Sequence, residues 1–400
     1  MRIVAQPFKV PALPTTLRGP DLPEPSDDAR RHSDRLSETI RKEIDFAGGW
    51  IGFARFMELA LYAPGLGYYV AGAAKLGSNG DFVTAPEISP LFGRTLARQI
   101  AQLLELSAGQ VLELGAGSGT MAADVLGELQ NVDRLPQRYL ILETSPQFVE
   151  RQRRTLQQRH PALKDRIEWI STLPEHFNGV VIANEVLDAL PVHLVAWRRD
   201  GLYERGVGWK DGFVWSERPL RPGTLRSAAE AISAQADYVS EISLVAPALV
   251  RSLSAALRKG ALLLIDYGFG RREYYHPQRS QGTLMCHYRH RTHDDPFFLP
   301  GLQDLTAHVD FTAIAEAGIE AGLKLLGYTT QAQFLVNSGI TGLLEHKSTQ
   351  ATGNRFALTA GVQKLLSPAE MGELFKVIAL GRGVDGPLLG FASGDKSRLL

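Results

Sequence analysis

A single cysteine, Cys286, in 400 residues leaves no partner for an intramolecular disulfide and excludes a zinc cluster built on several thiolates. That scarcity suits a reducing compartment, so a cytoplasmic location is expected. Long hydrophobic runs are missing as well. The longest are short pieces such as Ala261 to Ile265, far below the ~18 apolar residues of a membrane-spanning helix, so no membrane insertion is expected. The chain does not open on a basic stretch followed by an apolar one, and acids at Asp21, Glu24, Asp27 and Asp28 argue against a transit peptide. Charge of one sign is not in excess, with 43 Lys+Arg against 43 Asp+Glu. Phosphate neutralisation usually leaves a basic surplus, so no nucleic-acid partner is expected. What is present is length enough for two or three domains, or for one enzyme core with large additions.

Residues 1–32 are rich in proline, polar groups and charge without periodicity, and read as a flexible arm. From Ser33 to about Leu61 the apolar residues Leu36, Ile40, Ile44, Phe53, Phe56, Met57 and Ala60 recur at helical spacing. Glycines at 65, 67, 72, 77 and 80 break that pattern, and an extended loop runs to Pro90 before a helix over Leu91 to Leu106. Residues 33–106 thus form a helical and glycine-rich loop region. Over 107–335 short apolar strands alternate with helical stretches: Val111 to Leu114, Tyr139 to Leu142, Ile167 to Ile170, Val180 to Ala183 and Leu262 to Asp266. That rhythm predicts an α/β, Rossmann-like core with a parallel sheet. Asp-Gly pairs and the aromatics Trp197, Tyr203, Trp209, Phe213 and Trp215 predict β-hairpins inserted at 194–240. A helix is expected from Thr312 to Leu325, and C-terminal helices and a tail over 336–400.

The strongest chemical signal is Val111 to Thr120, a strand entering a turn with the pattern Glu-x-Gly-x-Gly-x-Gly. A dinucleotide fingerprint sets its third glycine three positions after the second, and an acid beside the turn would repel a diphosphate. Glu113 with Gly115, Ala116, Gly117, Ser118 and Gly119 instead suits a cationic nucleoside such as S-adenosylmethionine. Glu143 at the end of the next strand suits its ribose hydroxyls. The blander readings are a tight βα turn for the glycines and a helix N-terminal acid for Glu143. The fourth strand ends in Ala183 to His193, where Glu185, Asp188 and His193 are candidates to face the methylated atom, and the Asn184 amide, able to contact either ligand, is counted with the cofactor-binding residues. Helix capping by Asn184 or Asp188 and a rim position for His193 are the alternatives. Asp304 and Asp310 read as capping or turn residues, while Asp266 stays open.

Several segments together resemble the MidA-like methyltransferases: Leu112 to Gly119, Gly80 to Ser89, Asn184 to Pro191, Ile265 to Gly268, and Pro300-Gly301 through Asp304 to Phe311. The family includes the mitochondrial arginine methyltransferase that assists assembly of respiratory complex I, and the resemblance spans about 33–380. It implies a class I methyltransferase core, S-adenosylmethionine as cofactor, and symmetric dimethylation of an arginine on a 49-kDa-type complex I subunit or an analogous protein partner. Thr84 joins the cofactor-binding set on this resemblance. An arginine acceptor is a delocalised cation and needs carboxylates to fix it. Glu185 is the first candidate, with Asp188 and Glu87 next. His193, His290 and His308 are candidates for the proton acceptor, and no motif chooses among them. The rival readings are a class I methyltransferase of a small molecule and a non-catalytic assembly factor that binds S-adenosylmethionine. A dehydrogenase comes last, opposed by Glu113 and the glycine spacing.

Overall fold

The computed structural model describes residues 22–70, 84–107, 109–348 and 355–400. Most of the expected arm, and residues 71–83 of the expected glycine-rich loop, including Gly72, Gly77 and Gly80, lie outside the described residues. Helix α1 (Asp27–Phe46) begins ahead of the Ser33 expected from periodicity. Ser26 caps it, its hydroxyl accepting from the Ala29 N–H, and Asp27 and Asp28 complement the positive end of the helix dipole. Leu36, Ile40 and Ile44 form the buried stripe that the spacing predicts.

Strand β1 (Ile51–Gly52) and helix α2 (Phe53–Tyr62) follow, then the short α3 (Ala85–Ile88) and the long α4 (Pro90–Ser107). The α/β alternation begins with β2 (Gln110–Leu114), α5 (Thr120–Asn131), β3 (Arg138–Leu142), α6 (Pro146–Arg159), β4 (Ile167–Ile170) and β5 (Phe177–Asn184). Next come β6 (His193–Arg198), β7 (Gly201–Trp209), β8 (Phe213–Pro219), α7 (Thr224–Glu230) and β9 (Tyr238–Ile242). The chain re-enters the core through α8 (Val245–Ala256) and the 13-residue β10 (Leu257–Phe269). Past α9 (Arg271–Tyr274) lie the short strands β11 (Met285–Tyr288), β12 (Arg291–His293), β13 (Asp304–Thr306) and β14 (Val309–Asp310). The C-terminal part holds α10 (Phe311–Glu320), β15 (Lys324–Thr330), α11 (Gln331–Asn337), α12 (Ile340–Ser348), α13 (Arg355–Leu366) and β16 (Phe375–Arg382).

The central sheet has the order β15-β16-β10-β5-β2-β3-β4. Strands β10, β5, β2, β3 and β4 run parallel, and β16 inserts antiparallel between β10 and β15. Helices cover both faces: α4 and α5 pack on one, α8 and α10 on the other, each over buried leucine, isoleucine and valine side chains of the strands. Strands buried on both faces read as continuous apolar runs, as Ala261 to Ile265 does.

Two C-terminal expectations change. The helix expected from Thr312 to Leu325 ends at Glu320, because Gly322 turns the chain at φ +83° and β15 starts at Lys324. The segment 336–400, expected to be helical, contains β16 in the middle of the sheet. An eight-residue buried strand without alternation carries no periodicity that separates it from a helix.

The aromatic insert forms a second sheet, β1-β7-β6-β9 with β8 on β7. Its rings pack on α2: Trp215 lies 5.4 Å from Phe53, and Phe213 lies 5.3 Å from Phe56. This layer and the small sheet β12-β11-β13 hold α2 and the residues after it over the C-terminal ends of the core strands.

Candidate functional site

The adjacent parallel strands β5, β2 and β3 release their C-terminal ends beside one another, where a doubly wound sheet opens a crevice. A cavity of about 350 Å³ occupies that place. Thr84, Glu87, Glu113, Gly115, Ala116, Gly117, Ser118, Glu143, Asn184, Glu185 and Asp188 all line it. Gly119 stands just behind as the N-cap of α5. At Gly115 and Gly119 the backbone is left-handed, φ +60° and +81°, and a Cβ would press on Val186 and Gln152 respectively at 3.2 and 3.1 Å. Only glycine meets both demands.

The polar groups have unequal partners. The Tyr139 hydroxyl donates to Glu113 Oε2 at 2.5 Å, while Oε1 is buried with no partner. Burial pushes the Glu113 carboxyl up to about 7, against the tyrosine bond that lowers it. Glu143 accepts from the Ser145 N–H at 2.9 Å and from Gln152 Nε2 at 3.1 Å, which aims its carboxylate. Asn184 donates to Glu185 Oε1 at 3.0 Å and leaves its own Oδ1 buried and unpartnered. Glu185 has a left-handed backbone, φ +53°, which is rare for a residue with a side chain. Its Oε1 also accepts from the Ala85 N–H at 3.1 Å, and its Oε2 is a further buried orphan. Burial first, and then the Asp188 charge, push the Glu185 carboxyl up to about 8. Asp188 accepts from the Tyr267 hydroxyl and keeps Oδ1 unpartnered, and burial raises it to about 6.

Asp266, open in the sequence, supports this loop from beneath. Its Oδ2 accepts from the consecutive N–H groups of Val186, Leu187 and Asp188 at 3.2, 2.9 and 3.3 Å. Asp310 is the expected cap, accepting from Thr312 and Ala313 at the start of α10.

Some expectations are corrected. His193 lies on β6, where Nδ1 pairs with Glu204 at 2.8 Å; it is absent from the cavity wall because the inserted sheet carries it away. His290 sits exposed at the β11–β12 turn, and His308 packs against the Tyr267 and Phe269 rings, where burial lowers it to about 3. Glu87 reaches the glycine turn, accepting from Ser118 and from Thr120 at 3.2 Å, so its Oε1 is turned to the donor side. Asp304, read as a turn former, is a buried wall residue beside Tyr62, Tyr69, Tyr267 and Thr306. None of these four was a candidate. Tyr267 and Thr306 stood inside quoted motifs, whereas Tyr62 and Tyr69 carried no signal at all.

Six carboxylates line the cavity, from Glu87, Glu113, Glu143, Glu185, Asp188 and Asp304, and no arginine, lysine or histidine does among the described residues. Such a wall repels phosphates and attracts cations. Among the described residues no group of His, Cys, Asp and Glu is arranged to hold a metal. The residues present fit S-adenosylmethionine: Glu113 Oε1 is an unpartnered acceptor for an ammonium, and the glycine turn admits a ligand to the backbone.

The model of a family described as "Putative S-adenosyl-L-methionine-dependent methyltransferase" matches residues 95–329. The zebrafish (Danio rerio) protein arginine methyltransferase NDUFAF7, mitochondrial, is 30% identical over 87% of this chain and 88% of its own length. The human protein of the same name is 31% identical, covering 83% and 80%. A crystal structure from Burkholderia thailandensis, bound to S-adenosyl-homocysteine, is 51% identical and superposes with a TM-score of 0.92 over 95% of this chain and 100% of that one. The cytoplasmic expectation is overturned by these findings, since the curated relatives are named as mitochondrial proteins. A single cysteine does not tell one reducing compartment from another. With a matching family model, relatives along most of the chain and a cavity built for a cationic donor, the chain belongs to the MidA-like family of S-adenosylmethionine-dependent methyltransferases.

Proposed function

We propose that this methyltransferase acts on arginine in a protein, producing the symmetric dimethyl product on a 49-kDa-type subunit of respiratory complex I or an analogous protein. The observation that carries the reading is the clustering of Glu185, Asp188 and Asp304 in the same cavity as the glycine turn, with unpartnered oxygens on Glu185 and Asp188. The names of the curated relatives agree with it. On this reading Glu113 holds the donor's ammonium, the backbone of Gly115 to Gly119 follows its amino-acid part, and Glu143 accepts from its ribose hydroxyls. Thr84 and Asn184 close the donor's other side.

Bound there, the donor supplies a methyl group whose C–S bond breaks as a bond to the acceptor nitrogen forms. Glu185 and Asp188 hold the guanidinium by charge-assisted hydrogen bonds and draw its charge towards the nitrogens that do not react. The Glu185 orientation is set by the Asn184 amide and the Ala85 N–H, and that of Asp188 by Tyr267. Fixing both partners in line provides much of the rate. Methyl transfer raises the guanidinium from one positive charge to two, and the single charge is restored when the attacked nitrogen gives its proton to a carboxylate. Glu185 is ionised by the guanidinium bound beside it, and the burial that raises its proton affinity to about 8 without that cation suits it to take the proton.

The test incubates the protein with radiolabelled S-adenosylmethionine and extract of cells lacking the enzyme, then locates the label by mass spectrometry. Symmetric dimethylarginine in a complex I subunit is expected. Label on a small metabolite would sink the protein-arginine reading, and donor binding without any labelled product would turn it into the assembly-factor reading.

A further inference from the structure

Residues that hold a guanidinium need not all lie in the loop after the fourth core strand, and the opposite wall of this cavity is built with equal care. Asp304 is 6% exposed on β13, and the Tyr69 hydroxyl reaches both of its oxygens, at 3.0 and 2.9 Å. The Tyr69 ring stacks on Tyr62 with centroids 5.5 Å apart and planes 19° from parallel. Both rings and Asp304 line the same cavity as Glu185 and Asp188. The wall is tied to the acceptor loop at separate points: the Tyr62 hydroxyl donates to the Ala189 carbonyl at 3.0 Å, and the Ala307 N–H donates to the Asp188 carbonyl at 3.0 Å. Asp304 therefore stands at a fixed place relative to Asp188.

We propose that Asp304, oriented by Tyr69, is a third acceptor carboxylate, and that with the Tyr62 and Tyr69 rings it selects a guanidinium over an ammonium. The proposal rests on the arginine reading above and adds to it the group that discriminates. The chemistry differs sharply between the two cations. A guanidinium spreads five N–H donors over a plane, so carboxylates on two sides can hold its outer nitrogens while a third nitrogen faces the methyl group. Its plane also lies well against an aromatic face. A lysine ammonium has one nitrogen, which must lose a proton before its lone pair can attack. Surrounding that nitrogen with Glu185, Asp188 and Asp304 keeps it charged and unreactive. One acid on each side favours arginine, and the same acids penalise lysine.

The test uses two capped peptides that differ only in a central arginine or lysine, each offered as acceptor with radiolabelled donor and as ligand to the protein loaded with S-adenosyl-homocysteine. The wild type is expected to methylate the arginine peptide and to turn over the lysine peptide at least about tenfold more slowly even where it binds. Asp304→Asn should raise KM for the arginine peptide about tenfold, leave binding of S-adenosyl-homocysteine unchanged, and narrow the arginine-to-lysine preference. If Asp304→Asn fails to fold, Tyr69→Phe removes only the hydroxyl and should raise KM about threefold with the donor affinity unchanged. A wild type that uses the arginine peptide while the folded variant keeps wild-type KM and preference would overturn this inference and leave the arginine reading standing. A wild type that uses neither peptide, or prefers lysine, overturns both.

Discussion

Glu185 combines two unfavourable features in one residue of the site. Its backbone is left-handed, its carboxyl is buried, and Asp188 stands close enough to resist its ionisation. Such strain is retained where neighbouring structure fixes it, here the Asp266 carboxylate beneath the following N–H groups. Glu185→Gln should therefore keep the fold and the donor affinity but lower kcat about 100-fold or more, measured with radiolabelled donor and calorimetry on S-adenosyl-homocysteine. The same carboxyl sets a pH dependence. Its folded-state affinity for a proton is raised from 4.5 to about 8, so its contribution to stability is full below about 4.5 and is lost as pH rises through about 8. Glu113, raised to about 7, has the same sign. The melting temperature should fall across that window, and Glu185→Gln should flatten the fall; a scan of melting temperature against pH in both proteins measures it. Gly117 tests the donor side. At φ +53° it tolerates no side chain without strain, so Gly117→Val should abolish binding of S-adenosyl-homocysteine in calorimetry.

Among the elements, the contrast between β2 and β16 shows what a sequence discloses. Strand β2 is followed at once by Gly115 and α5, so strand, turn and helix announce one another, and the donor cradle from Glu113 to Gly119 is legible because it is local. Strand β16 has no such neighbours, and its apolar centre Val377 to Leu380 is short, while its pairing with β10 spans more than 100 positions. Asp304 and Tyr69 meet across 235 positions, a juxtaposition to which no spacing rule applies. The cavity wall of Tyr62, Tyr69 and Asp304 was for that reason largely hidden, even though the acids of the Asn184 to Asp188 loop were readable. Because β16 occupies the middle of the sheet, Ile378→Ala should destabilise the protein by about 2–5 kcal/mol in urea denaturation, while Val336→Ala, at 45% exposure, should change it by about 0.5 kcal/mol or less.

For the whole molecule, equal numbers of basic and acidic residues give no long-range field to draw in a cation. Attraction is confined to the cavity, where six carboxylates face one another without a lining arginine, lysine or histidine among the described residues. Raising ionic strength should thus increase KM for an arginine peptide only modestly, since charges inside a cavity are screened less than surface charges; initial rates across a salt series measure it. The family match begins at residue 95, yet Tyr62 and Tyr69 precede it. The cavity wall is consequently drawn from both sides of that boundary, with Asp304 and the Glu113 to Gly119 turn inside the match and the two tyrosines outside it. On the proposal that these tyrosines help choose the acceptor, a substitution at Tyr62 or Tyr69 retunes which side chain is modified while the Glu113 to Gly119 turn stays as it was, so a new target is acquired without reinventing the chemistry.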